Sequence, residues 1–192
     1  LNPYAHSKSL TEKNLIELSN DKKINYIILR YFNVAGSDLN LRTGLLGKNS
    51  THLIKVACEV AFKKRSYIEI YGNDYPTRDG TAIRDYIHVS DLSDVHILSL
   101  IHLLKSKKSL IMNCGYGKGY SVKNVLDEIN LLLNGTVKIK IGKRRKGDAI
   151  SLVADNKTIK TVLKWKPKYN NLKDILTSSI AWEKSITNDK IF

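Results

Sequence analysis

The chain has 192 residues, of which 42% are apolar and 26% charged, enough to bury one sizeable core, and it carries a formal charge of +14. That excess does not mark a nucleic-acid surface: 25 lysines against 7 arginines stand mostly singly or in pairs, and the one dense run, Lys143 to Lys146, has no interleaved aromatic platform. No segment reaches the roughly 18 apolar residues of a membrane helix, and Cys58 and Cys114 make neither a disulfide framework nor a metal set, so a reducing cytoplasm is expected, with no membrane and no metal.

In chain order, Pro3 followed by Leu10, Leu15 and Leu18 predicts a helix over 4–19, and the nearly continuous apolar run from Ile24 predicts a strand ending at Tyr31. Such runs suit a parallel strand covered on both faces, hence an α/β fold. Residues 33–50, with little periodicity and glycines at 36, 44 and 47, read as a long loop, and loops of that length are often functional. A helix over 51–64, a strand over 67–71, a turn-rich loop over 72–80, a strand over 83–89, a helix over 91–104 and a strand over 109–113 follow. Beyond Gly119 come a helix over 121–133, a strand over 137–141, the basic loop, and helices near 156–163 and 172–182.

Tyr4 and Lys8 are four apart, so a helix sets them on one face about a turn from each other, where an ammonium can lower a phenol's pKa and make it a usable general base. The spacing alone decides little, because Tyr169 and Lys173 repeat it. Taken singly, Asn33 also reads as a turn residue, His52 as a polar helix start, and Arg84 as an ion-pair partner of Asp79 or Asp85. Cys58, Cys114, His88, His96 and His102 read as structural.

Four segments in order are more specific. They are Pro-Tyr-Ala-His-Ser-Lys at 3–8, Arg-Tyr-Phe-Asn-Val-Ala-Gly at 30–36, Tyr-Gly-Asn-Asp-Tyr-Pro-Thr-Arg-Asp-Gly-Thr-Ala-Ile-Arg-Asp-Tyr-Ile-His-Val at 71–89, and Arg-Arg-Lys-Gly-Asp at 144–148. Through them the chain resembles the UDP-glucose 4-epimerases of the extended short-chain dehydrogenase/reductase superfamily. The insert from Asn73 to Thr81 favours that subfamily over related nucleotide-sugar dehydratases.

The resemblance implies the end of a doubly wound Rossmann-type parallel sheet plus a smaller α/β substrate-binding domain. Residues 1–35 would belong to the NAD-binding side and 36–192 mostly to the UDP-sugar side, with about 83–105 returning to the first. It implies reversible C4 epimerisation by transient oxidation with tightly bound NAD. Tyr4 would be the base, Lys8 would tune it and hold the nicotinamide ribose, and Phe32 would lie beside the nicotinamide. Asn33 and His52 would meet the diphosphate and sugar, the backbone of Glu69, Ile70 and Tyr71 the uracil, Arg84 and Arg145 the phosphates, and Asp148 the uridine ribose. Leu152, where the family varies between a large aromatic and a small residue, leaves the choice between UDP-hexose and UDP-N-acetylhexosamine open.

The resemblance further implies a C-terminal portion of a longer, homodimeric parent. Met112 is the only methionine, and Leu1 opens no leader. A non-catalytic UDP-sugar-binding remnant is the alternative. Gly115-Tyr116-Gly117-Lys118-Gly119 mimics a dinucleotide turn, but its sixth position is Tyr120 and no acidic residue follows at about 20, so it reads as a loop of the substrate side.

Overall fold

The computed structural model describes residues 3–22, 24–47, 49–135 and 137–188. The first helix, α1 (Pro3–Lys22), starts on a proline, whose fixed φ and missing N–H suit the first helical turn. It runs three residues past the end that its apolar spacing predicts, and Arg30 ties it to the following strand by donating from Nε to Glu12 at 2.8 Å. Arg30 lies in β1 (Ile27–Tyr31), which pairs parallel with β5 (Leu110–Cys114), so Met112 and Cys114 are buried.

Phe32 then donates its N–H to the Cys114 carbonyl at 3.2 Å, and the chain passes into β2 (Asn33–Ala35). The first three residues of the expected loop are therefore strand. β2 runs parallel to β4 (Ile83–His88), which also pairs antiparallel with β6 (Gly119–Ser121) and parallel with β8 (Ser151–Leu152). A third pair, β3 (Ile68–Tyr71) and β7 (Ile139–Gly142), is parallel. The architecture is the expected α/β fold of parallel strands and covering helices.

Among the described residues five further helices cover the sheets: α2 (Leu53–Ala61), α3 (Val89–Ser106), α4 (Val122–Leu133), α5 (Lys157–Leu163) and α6 (Leu172–Asn188). The core gathers Ala57, Ile87, Val95, Leu126, Ile129, Ile159, Ile175 and Leu176, all fully buried. Burial of each such aliphatic side chain contributes about 2 kcal/mol before entropy is charged against it. Two caps fix helix starts, one where the sequence pattern placed it within a residue and one that it missed. Ser90 donates its N–H to His88 Nδ1 at 3.1 Å, starting α3 two residues early, and Ser121 and Asn124 close a reciprocal capping box on α4.

Candidate functional site

A cleft of about 1200 Å³ opens between α2, the strands β2, β3 and β4, and residues 43–45 and 50–51. All eight residues expected to meet a nucleotide sugar, Asn33, His52, Glu69, Ile70, Tyr71, Arg84, Arg145 and Asp148, line this one cleft.

Asn33 opens β2, its backbone in register with Tyr86, so it is a strand residue and not a turn residue. His52 is the N-cap of α2 but makes no side-chain cap bond, which leaves its imidazole to the cleft. Arg84 donates from Nη1 to the carbonyls of Ile83 and Ala149, both at 2.8 Å, and stands 3.7 Å from Asp148. It pairs with neither Asp79 nor Asp85. Asp79 is taken by Thr81 and Ser121, and Asp85 by backbone. Arg145 lies over the Tyr71 ring, 3.7 Å from guanidinium carbon to ring centroid.

Glu69 packs its carboxyl on Gly142, where a Cβ would come within 2.1 Å of Oε1, so a larger residue at this strand end would displace the Glu69 side chain. Leu152 sits opposite Arg84 in the β4–β8 register, half exposed and outside the cleft lining.

The cleft wall holds charged and aromatic residues that sequence spacing did not single out. Glu183 on α6, 1% exposed, accepts from Lys55 at 2.6 Å and Lys64 at 2.8 Å, and Glu59 pairs with Arg65. Arg65 in turn donates to the Ser50 carbonyl at 3.0 Å, and Trp182 donates from Nε1 to the Leu45 carbonyl at 3.2 Å, so both ends of the rim segment are held. The i,i+4 pair Lys55 and Glu59 inside an otherwise apolar helix was the available signal. Because carboxylates occupy Lys55, Lys64 and Arg65, the positive charge left toward the cleft comes chiefly from Arg145 and from Arg84, whose carboxylate neighbour Asp148 stands off at 3.7 Å, an arrangement that suits a diphosphate.

Cys58 in the same wall is inert: burial, reinforced by the charge of Glu183, pushes its thiol up to about 12. Cys114 is pushed up to about 12 by burial as well, and both cysteines are free. His96 bonds the Leu92 carbonyl at 2.8 Å. His88 is fully buried and bonds Ser178 Oγ at 3.0 Å.

Tyr4, Lys8 and Phe32 do not line the cleft. Tyr4 is 71% exposed on the first turn of α1, and Lys8 lies 5.4 Å from its ring centroid, so the two share a helix face as spacing predicts, outside the residues that line the cleft. The second Tyr-x-x-x-Lys is structural: Tyr169 donates its N–H to Asp91 at 2.9 Å and packs 4.5 Å from the His88 ring. The 115–119 loop is indeed an anion cradle, but its anion is internal. The N–H groups of Tyr116 and Gly117, joined by that of Ala154, donate to the buried carboxylate of Asp85 at 3.0, 2.8 and 3.2 Å.

Among the described residues no helix is long and apolar enough to cross a membrane, and no group of His, Cys, Asp and Glu is placed to hold a metal. A relative from Azospirillum brasilense, a UDP-glucose 4-epimerase, is 46% identical over 186 residues, covering 97% of this chain and 53% of its own. The chain spans about half the length of the curated relatives it matches. Solved structures agree. A UDP-glucose-4-epimerase from Stenotrophomonas maltophila with bound NAD and formylated UDP-arabinopyranose superposes at a TM-score of 0.93 and 30% identity, covering 98% of this chain and 56% of that one. A UDP-glucose 4-epimerase from Bifidobacterium longum in complex with NAD+ and UDP gives 0.90 and 31%, covering 97% and 56%. With the fold in agreement, and residues 1–115 matching the NAD dependent epimerase/dehydratase family, the chain belongs to that family.

Proposed function

We propose that this chain is the base-bearing and substrate-bearing half of an NAD-dependent UDP-glucose 4-epimerase, which interconverts UDP-glucose and UDP-galactose. The observation that carries the reading is the convergence of Asn33, His52, Glu69, Ile70, Tyr71, Arg84, Arg145 and Asp148, far apart in sequence, on one cleft. Arg84 and Arg145 hold the diphosphate, and Asn33 and His52 meet its sugar side. The backbone at residues 69–71 faces the uracil, and Asp148 accepts from the uridine ribose. Anchoring at the nucleotide keeps binding energy remote from C4 and leaves the sugar free to present either face.

NAD, when bound, supplies reversible hydride chemistry at C4. Tyr4 and Lys8 fit one end of such a cofactor: an open phenol hydroxyl and three ammonium donors stand side by side on α1. Tyr4 takes and returns the proton of the 4-hydroxyl, Lys8 holds the nicotinamide ribose, and Phe32 lies beside the nicotinamide. The pyrophosphate turn is met by residues other than those described, since the loop at 115–119 is filled by Asp85. Residues 1–35 then belong to the cofactor side and 36–192 mostly to the substrate side, with about 83–105 returning to the first. The complete protein works as a homodimer on this reading.

The test is turnover by protein expressed from the complete coding sequence, supplied with NAD. Interconversion of UDP-glucose and UDP-galactose is expected, and its absence in folded, NAD-loaded protein overturns the assignment. Tyr4→Phe is expected to lower kcat by about 10²-fold or more, with UDP affinity unchanged.

A further inference from the structure

We propose that the ring of Tyr71 is the positioning platform of Arg145, holding the guanidinium so that its N–H donors stay free for the diphosphate of a uridine nucleotide. This rests on reading the cleft as a UDP-sugar site and assigns the Tyr71 side chain a task separate from its backbone.

The argument starts from strand register. Tyr71 ends β3 opposite Gly142 of β7, and Gly72 donates its N–H to the Gly142 carbonyl at 2.9 Å, so the ring is fixed relative to the segment that carries Arg145. Three residues on, Arg145 opens a turn in which Asp148 donates its N–H to the Arg145 carbonyl at 3.3 Å and Gly147 takes a φ of +84°. That turn brings the Arg145 guanidinium over the ring at 3.7 Å. A cation stacked on a ring face is attracted by the ring quadrupole yet spends none of its in-plane donors.

Its neighbour shows the contrast. Arg144 also stacks, 4.3 Å over Tyr75, but donates to Asp74 Oδ1 at 2.7 Å and to the Asp74 carbonyl. Arg84 is steered by two carbonyls and Asp148. Among the described residues no carboxylate stands within ion-pair distance of Arg145. The ring alone therefore orients an exposed, rotamer-rich side chain. Preorganising it spares entropy that binding would otherwise cost.

The test is a double-mutant cycle on the complete, NAD-loaded protein, read by calorimetry with UDP and with uridine. Tyr71→Phe keeps the ring and is expected to bind UDP like the wild type. Tyr71→Leu is expected to bind UDP about five-fold more weakly, and to add no further loss once Arg145→Ala is present. Uridine has no phosphate for Arg145 to meet, so wild type and Tyr71→Leu bind it equally, which also reports that the variant is folded. Equal losses for uridine and UDP in Tyr71→Leu, or the same UDP loss with Arg145 already removed, overturns the proposal, because the ring then acts on the base. Wild-type protein that binds neither compound overturns the cleft assignment itself.

Discussion

Asp85 holds three backbone N–H groups from two segments distant in sequence, and its own surroundings are fully buried. Asp85→Ala strands those donors, and the cost of leaving buried donors unmade sets the expected loss at about 3 kcal/mol in urea unfolding; Asp85→Asn, which keeps an acceptor, should lose less. A second residue-scale effect is pH dependence at His88. Burial lowers its pKa from the ordinary 6.5, opposed by the charges of Asp91 and Asp174. A pKa lower in the folded state means that the unfolded chain binds the proton first. Stability is therefore full above about 6.5 and falls as pH drops from there through the folded value. Thermal unfolding across that window should show the decline, and His88→Asn should flatten it at the cost of lower stability throughout. Arg84 and Asp148, each part of a local motif, were legible in the sequence as members of a set, and the fold brings both to one cleft. Asp85's partners were not, because the donors at Tyr116, Gly117 and Ala154 meet it only through tertiary folding.

At the scale of elements, α2 and α6 are joined beneath the cleft by a nearly buried charge cluster. Lys55 is 8% exposed along its side chain and Glu183 1%. Glu183→Ala leaves buried Lys55 with only Glu59 at 3.6 Å, a loss of about 3 kcal/mol of stability, measurable as a drop in thermal midpoint. The rim segment depends on the same helix. A Cβ on Gly44 would fall within 2.5 Å of three Trp182 ring atoms, so Gly44→Ala must push the rim off the indole. On the proposed function this raises KM for the UDP-sugar more than it lowers kcat, and steady-state kinetics that show only a kcat loss would count against it. Helices and long strands were readable from period and apolar runs. β2 and β8 were not, since three and two residues are too short to show alternation, and each exists only because β4 lies beside it. The predicted start of α3 missed for a different reason: the cap is a histidine ring, not one of the usual short polar residues.

At the scale of the whole molecule, the described surface carries a stripe along α3 that no described element covers. Ile97, Leu100, Ile101 and Leu104 are 57%, 57%, 42% and 69% exposed, and their spacing of three and four sets them on one helix face. Tyr31 of β1, with Leu10 and Leu18 of α1, are exposed as well. The run Ile97 to Leu104 was already the most apolar in the sequence, but only the fold shows that it faces outward. Apolar surface of this kind promotes association, so the 192-residue polypeptide expressed by itself is expected to self-associate at micromolar concentration in light scattering. Leu100→Lys with Leu104→Glu should return it toward a monomer without disturbing the core, because both side chains are solvent-facing. A polypeptide that stays monomeric without these changes would contradict the argument. Cofactor affinity follows from the same inventory. The one glycine-rich cradle among the described residues is closed by Asp85, and Tyr4 and Lys8 offer contacts to only one end of a dinucleotide. Calorimetry on the 192 residues alone should therefore detect no tight NAD binding, whereas UDP, whose proposed contacts are all in the cleft, should still bind weakly. Tight NAD binding by these residues would mean that the pyrophosphate is held without a glycine turn, and the division of labour proposed between the two halves would have to be abandoned.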